Sequence, residues 1–134
     1  MNQGTNSDAT GKLILRLAIG GLILFHGVAK MVNPDFMTGI VKLVTAAGLP
    51  TQLAYGVYIG EVVAPVMILL GVLSRIGGLV VAINMGFAIV LAHTAQLFLL
   101  TKTGGWALEL QGLYLLGALA IVFLGSGRFA VRPD

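Results

Sequence analysis

Long apolar segments alternate with short polar stretches along the chain, and this pattern predicts membrane-spanning helices. A helix rises about 1.5 Å per residue, so about 20 apolar residues cross the hydrocarbon core of a bilayer. Pro34 ends the first apolar segment, because proline cannot continue a helix and disfavours helix in the residue before it. Four segments are predicted to span, at residues 13–31, 51–73, 76–98 and 106–124.

A shorter segment, residues 36–47, has a different pattern. Its apolar residues recur at helical spacing, and the polar residues Thr38, Lys42 and Thr45 fall between them. The segment is too short to cross a bilayer and is expected to lie on its surface. The sequence therefore predicts an all-α fold, a four-helix bundle in the membrane with a short interfacial helix between spans one and two.

The composition supports a membrane location. Of the 134 residues, 57% are hydrophobic and 10% are charged, whereas soluble domains carry about 25% charged residues. A soluble domain of this size could not bury so much apolar surface. The chain has no cysteine, which excludes disulfides, cysteine-ligated metals and thiol nucleophiles. The net charge of +3 is scattered, so lipid is an expected partner and nucleic acid is not.

The polar ends complete the predicted organisation. Residues 1–11 are predicted to form a disordered polar tail, residues 12–128 the four-span domain, and residues 129–134 a short second tail. Four spans place both ends on one side of the membrane. That side carries five of the eight Lys and Arg residues, so the positive-inside rule predicts cytoplasmic termini.

Ionisable side chains in the half of the spans away from the termini are the candidate catalytic residues. Charge inside a bilayer is costly, so such groups usually face the bundle interior and pair with one another. Counted at about 1.5 Å per residue, Glu61 lies about 15 Å deep, near the midplane. If all of them face inward, they form one polar cluster. Its members are His26, Lys30, Glu61, His93 and Glu109.

Pro65 adds an expectation about Glu61. Proline has no N–H, so the carbonyl of Glu61, four residues earlier, loses its helical partner, and a kink, a water or another polar partner is expected there. Asn84 is expected to form a hydrogen bond between helices. A stripe of small residues that permits close packing is formed by Gly56, Gly60 and Ala64.

The polar residues have two interpretations that the sequence leaves open. They either carry chemistry or form ion pairs that join helices. Lys30 could also snorkel to the head groups, and Arg16 either points into the bundle or snorkels on the opposite side. No metal site is expected, because the His and Glu residues lack the i,i+3 or i,i+4 spacing of helical ligand pairs.

Several motifs, taken in order, resemble one known family. They are LILRLAIG around Arg16, HGVAK from His26 to Lys30, Gly-Leu-Pro at 48–50, Gly60-Glu61, LGVLSR at 70–75, the late His93, ELQGLY at 109–114 and GSGR at 125–128. As a set they resemble the DoxX family over residues 13–129, with Gly-Ser-Gly where that family has Gly-Pro-Gly.

The resemblance implies a four-helix protein of a bacterial or archaeal plasma membrane. Members are linked to quinone-dependent oxidation of sulfur compounds and to membrane oxidoreductase complexes that handle oxidative stress. A quinone site needs an apolar slot, hydrogen-bond donors and a proton route. The candidate quinone-binding residues are His26, Glu61 and His93.

Three functions remain open at this stage. The first is a subunit of a quinone-dependent oxidoreductase, which receives electrons from a partner, a soluble substrate or a further cofactor. The second is a non-catalytic accessory subunit of a larger membrane complex. The third is a proton or solute conduit, which would need an oligomer because four helices hardly enclose a pore. Expected protein partners are other membrane subunits or further copies of this chain.

Overall fold

The computed structural model describes residues 5–134, which form helices joined by loops. Within these residues there is no β-strand beyond two isolated bridges. The all-helical prediction is therefore confirmed. The helices are α1 (Asn6–Val32), α2 (Pro34–Ala46), α3 (Thr51–Leu70), α4 (Ser74–Ala92) and α5 (Glu109–Leu124).

Three helices are long and apolar enough to cross a membrane, namely α1, α3 and α4. The fourth predicted span is shorter than expected, because α5 has 16 residues and begins at Glu109. The preceding residues form a hairpin instead, in which Leu100 bridges to Trp106. The indole N–H of Trp106 donates to the carbonyl of Leu97 at 2.8 Å, which holds the aromatic ring in the loop.

The start of α1 differs from the prediction of a polar tail over residues 1–11. Residues 1–4 lie outside the described residues, but the helix begins at Asn6. The Thr5 side chain caps it by accepting from the N–H of Asp8, a favourable arrangement at a helix N-terminus. Asp8 also pairs with Lys12 at 2.8 Å, so local polar contacts extend the helix beyond its apolar part.

The core lies where α1, α3, α4 and α5 meet. Its fully buried side chains include Ile23, Ile68, Val81 and Ile121, which come from the four different helices. Glycines bring the helix backbones together. An added Cβ at Gly78 of α4, for example, would lie 2.7 Å from the carbonyl oxygen of Ala118 in α5.

Helix α2 packs away from this core, against the beginning of α3. The contact is made by Met37 and Val44 of α2 and Ala54 of α3, all of which are buried. The helix also keeps large apolar side chains exposed, among them Phe36 and Leu43. Its apolar residues therefore divide between a protein contact and an outward surface.

The helix α3 is not a regular α-helix. Residues Thr51–Tyr55 form a 3-10 turn, and Ile59–Val63 form a π-helical segment immediately before Pro65. The N–H of Ala64 bonds the carbonyl of Ile59, five residues earlier, which is the π pattern. The predicted distortion around Glu61 is confirmed, and it takes the form of a widened turn.

Arg16 is buried at the end of the bundle that carries both termini. Its guanidinium donates to the carbonyls of Ile68 at 2.9 Å and Leu69 at 3.0 Å, near the end of α3. It also donates to the carbonyls of Ser126 at 3.0 Å and Phe129 at 2.6 Å, beyond α5. Of the two open interpretations, the inward-pointing one is correct and snorkelling is wrong, because these backbone carbonyls satisfy the charge inside the protein.

The last residues pack against the start of α4. The Asp134 carboxylate accepts from the Ser74 hydroxyl and from the backbone N–H of Arg75 at 3.0 Å and of Ser126 at 3.2 Å. Burial raises the pKa of Asp134, but these hydrogen bonds outweigh it and hold the pKa below its usual value. Segment 129–134 is therefore an ordered part of this end of the bundle.

Candidate functional site

An ion pair between Lys30 and Glu61 is the centre of the candidate site. The Lys30 ammonium lies 2.6 Å from one carboxylate oxygen of Glu61. The Glu61 side chain is only 7% exposed and that of Lys30 is 19% exposed. The structure therefore joins α1 to α3 through two of the predicted residues, and Lys30 is not a snorkelling residue.

The second oxygen of Glu61 accepts from Asn84 of α4. The amide nitrogen of Asn84 lies 3.0 Å away, so the expected hydrogen bond between helices is confirmed. Gly60 makes room for this contact, because an added Cβ there would lie 2.5 Å from the Asn84 side chain. One carboxylate thus holds three helices, with both of its oxygens satisfied.

The Lys30–Glu61 ion pair is positioned by the close approach of α1 to the π-helical segment of α3. An added Cβ at Gly27 would lie 2.0 Å from the carbonyl oxygen of Glu61 and 2.8 Å from the Val62 side chain. Only glycine permits this distance. Gly27 lies one turn before Lys30 on the same helix, so the contact also brings the ammonium to the carboxylate.

An apolar cavity of about 490 Å³ lies beside the pair, and Lys30, Glu61 and Asn84 contribute to its wall. This volume falls within the range of about 300–1,000 Å³ that is typical of small-molecule sites. Most of the remaining wall is aliphatic and comes from all five helices, with side chains such as Ile23, Val44, Val57, Val80 and Leu110. The cavity is therefore suited to a largely apolar molecule with a few polar atoms at one end.

Two aromatic side chains add polar edges to the cavity. The rings of His26 and Tyr114 lie edge to face, with their centres 5.8 Å apart, and both line the cavity. Tyr114 is buried, whereas His26 is exposed at the surface of the bundle. His26 therefore lines the same cavity as Lys30 and Glu61, at the place where α1 and α5 face each other.

His93 lies at the edge of the cavity and not beside Glu61. It caps the end of α4, and its Nδ1 lies 2.8 Å from the Gln96 side-chain oxygen. Nine residues separate it from Asn84, or about 13 Å along the helix. The sequence placed it several residues inside a longer span, but α4 ends at Ala92. Its predicted contact with the inner cluster is therefore not made.

Glu109 lies outside the site. It begins α5, is exposed, and is not among the residues that line the cavity. The prediction assumed that Trp106 was already helical, which would have placed Glu109 inside the span. Because the hairpin occupies those residues, Glu109 forms the first turn of α5, where a carboxylate interacts favourably with the helix dipole.

Two tyrosines at the site were not among the predicted site residues. Tyr114 faces His26, and the Tyr58 hydroxyl donates to the carbonyl of Lys30 at 3.4 Å. The sequence spacing could have identified Tyr58, because it lies one helical turn before Glu61 and therefore on the same helix face. For Tyr114 the sequence shows only a polar atom within an apolar segment. Over residues 5–134, no three His, Asp or Glu side chains are grouped so that they could hold a metal ion.

The model of the DoxX family matches residues 11–94 of this chain. The chain belongs to the DoxX family. Its relatives include an "Uncharacterized protein" of Haemophilus influenzae, 33% identical over 87% of this chain and 84% of that protein. A second relative is "Putative oxidoreductase CatD" of Bacillus subtilis, 28% identical over 92% of this chain and 85% of that protein. No solved structure matches the chain.

Proposed function

We propose that this DoxX membrane protein binds a quinone in the apolar cavity and exchanges protons with it through Lys30 and Glu61. The observation that carries the proposal is the position of a nearly buried ion pair in the wall of an apolar cavity. A quinone has a flat apolar ring, an apolar tail and two carbonyl oxygens, which fits this distribution of polar and apolar wall.

The proposed topology has four spans. Helix α5 joins α1, α3 and α4 as the fourth, because it packs closely along α4 and its outward side chains, such as Leu113, Leu116 and Phe123, are apolar. Helix α2 lies at the membrane surface, with Phe36 and Leu43 towards lipid. Both termini lie in the cytoplasm of a bacterial or archaeal cell.

A bound quinone would supply the two-electron redox chemistry, and the protein would handle protons. The ammonium of Lys30 and the carboxylate of Glu61 lie 2.6 Å apart, which is close enough for a proton to pass between them. Asn84 keeps the carboxylate oriented, and the imidazole of His26 would serve as a hydrogen-bond donor to a quinone oxygen.

An oxidoreductase role requires a separate electron donor. Either a soluble reduced compound or another membrane subunit would supply two electrons for each quinone reduced. Support for redox chemistry comes from the printed name of the Bacillus subtilis relative. We therefore propose that the chain acts as the quinone-binding subunit of such an oxidoreductase.

The cavity can be tested by filling it. Ala88→Trp places a large ring at a cavity-lining position of α4, and Leu116→Trp places the same ring on the outer face of α5, where Leu116 is 65% exposed. Both variants, reconstituted in nanodiscs, are titrated with a short-chain quinone by calorimetry. We expect at least a tenfold loss of affinity for Ala88→Trp and no change for Leu116→Trp. Equal affinities would contradict a quinone site in this cavity.

A static accessory role is the second candidate. It is favoured by the complete hydrogen bonding of Glu61, which joins three helices as a structural link would. In this case Glu61→Gln would destabilise the protein without changing the affinity for quinone or its pH dependence. If the site handles protons, the same variant would weaken the pH dependence of quinone binding.

A further inference from the structure

A second cavity opens on the other side of Lys30. It has a volume of about 560 Å³ and lies between α1, α2 and the start of α3. Its wall is more polar than that of the first cavity and includes Thr38, Lys42, Tyr55 and Tyr58. We call it the vestibule. The polar side chains in its wall and its position beside the amphipathic helix α2 would allow it to contain water.

Lys30 contributes to the walls of both cavities, whereas Glu61 contributes to the apolar cavity alone. The exposed fraction of the side chains falls in the same direction, from 19% for Lys30 to 7% for Glu61. The ammonium therefore stands between a water-accessible space and a carboxylate that is almost excluded from water.

The opposite end of the bundle is closed. Below Glu61 the space between the helices is filled by buried aliphatic side chains, among them Ile19, Ile68 and Ile121. Beyond them Arg16 is 1% exposed, and its guanidinium donates hydrogen bonds to four backbone carbonyls. Neither layer offers a chain of exchangeable groups from Glu61 to the side of the termini.

We propose that Glu61 exchanges protons with the aqueous phase through the vestibule, on the side of α2, and that Lys30 carries each proton between them. In the inward direction, the Lys30 ammonium gives a proton to the Glu61 carboxylate, which leaves an amine and a carboxylic acid. The amine then takes a proton from hydronium in the vestibule. The balance is one proton taken up from that side and held on Glu61, with no redox change.

Other titratable groups face the Lys30–Glu61 pair, and the test must distinguish their protonation from that of the pair. From the vestibule these are Tyr58, Tyr55 and Lys42, and from the apolar cavity they are His26, Tyr114 and His93. The Tyr58 hydroxyl already donates to the Lys30 carbonyl, so it is not positioned to replace the ammonium. The proposed route therefore depends on Lys30, and it concerns the same site as the proposed quinone function.

The test plugs the vestibule with a single labelled cysteine. The natural chain has no cysteine, so Thr38→Cys can be modified selectively with a bulky charged maleimide. Ser7→Cys is the matched control at the far end of α1, and Ala92→Cys lies at the edge of the apolar cavity. In nanodiscs without quinone, infrared spectroscopy follows the carboxylic acid band after an acid jump. Glu61→Gln identifies which part of that band belongs to Glu61.

We expect labelling of Thr38→Cys to slow the protonation of Glu61 at least tenfold, and labelling of Ser7→Cys and Ala92→Cys to leave it unchanged. The unlabelled variants should behave as the natural protein. An unchanged rate after labelling Thr38→Cys, or slowing by the label at either other position, would overturn the route. This assay contains no quinone, so it tests the proton route separately from quinone binding. Either proposal can therefore fail while the other holds.

Discussion

The close approach of α1 to α3 at Gly27 gives the most direct test of the site geometry. Gly27→Ala would place a Cβ 2.0 Å from the Glu61 carbonyl oxygen, although ordinary contact begins near 3.4 Å. The helices must therefore separate by about 1 Å or more. Overpacking of this kind costs about 1–3 kcal/mol.

Gly21→Ala is the matched control, because a Cβ at Gly21 meets nothing within 4 Å. Both substitutions lie in α1 and bring the same gain in helix propensity, about 1 kcal/mol. The difference between the two variants thus isolates the cost of forcing α1 from α3. We expect Gly27→Ala to be less stable than Gly21→Ala by about 1–3 kcal/mol.

The measurement is thermal unfolding of both variants in the same mild detergent, followed by circular dichroism. A second readout is the affinity for a short-chain quinone, which should fall for Gly27→Ala because Lys30 moves away from Glu61. If the two variants unfold at the same temperature, the backbones do not approach at Gly27 and the account of how the pair is positioned is refuted.

Three further predictions concern the charged side chains of Glu61, Arg16 and Asp134. Glu61→Gln should lower the stability by about 1–3 kcal/mol, because Lys30 loses its counter-ion, and the double variant Lys30→Met/Glu61→Gln should recover much of it in the same unfolding assay. Failure of the double variant to exceed the single one would contradict an ion pair. Arg16→Lys should lower the free energy of unfolding by about 2–4 kcal/mol, because one ammonium cannot reach four carbonyls. The control Arg128→Lys, at an exposed position, should change it by less than about 0.5 kcal/mol. Because the pKa of Asp134 is lowered in the folded state, its contribution is present above the usual value and is lost as the pH falls through the folded value. The natural protein should therefore exceed Asp134→Asn in stability at pH 7, with the gap closing below about pH 4, and a gap that does not depend on pH would be inconsistent with this.

Much of the fold follows from patterns within single segments. Apolar length predicted the helices that became α1, α3 and α4, and helical periodicity with polar gaps predicted α2. Pro65 predicted the irregularity at Glu61, since the missing N–H is a local property of the chain. The predicted ends were less accurate, because Thr5 capping lengthened α1 and the hairpin at Trp106 shortened α5.

The candidate site was predictable in depth but not in pairing. Counting residues placed Lys30 near the end of its span and Glu61 close to the midplane, both in the half of the bilayer away from the termini, and Asn84 was assigned to a contact between helices. The sequence grouped Glu109 with them because its depth depended on where α5 begins. That limit is decided by hydrogen bonds of the preceding loop, which leave no trace in hydrophobicity.

The sequence by itself determined that the chain is an all-helical membrane protein with ionisable side chains in one half of its spans, because length and periodicity are properties of each helix alone. Only the tertiary structure decided which of these side chains meet. Lys30 meets Glu61 because Gly27 allows two backbones to touch, and Arg16 is buried because four carbonyls from distant segments converge on it. Such contacts depend on the distance and rotation between helices, and no single segment encodes these.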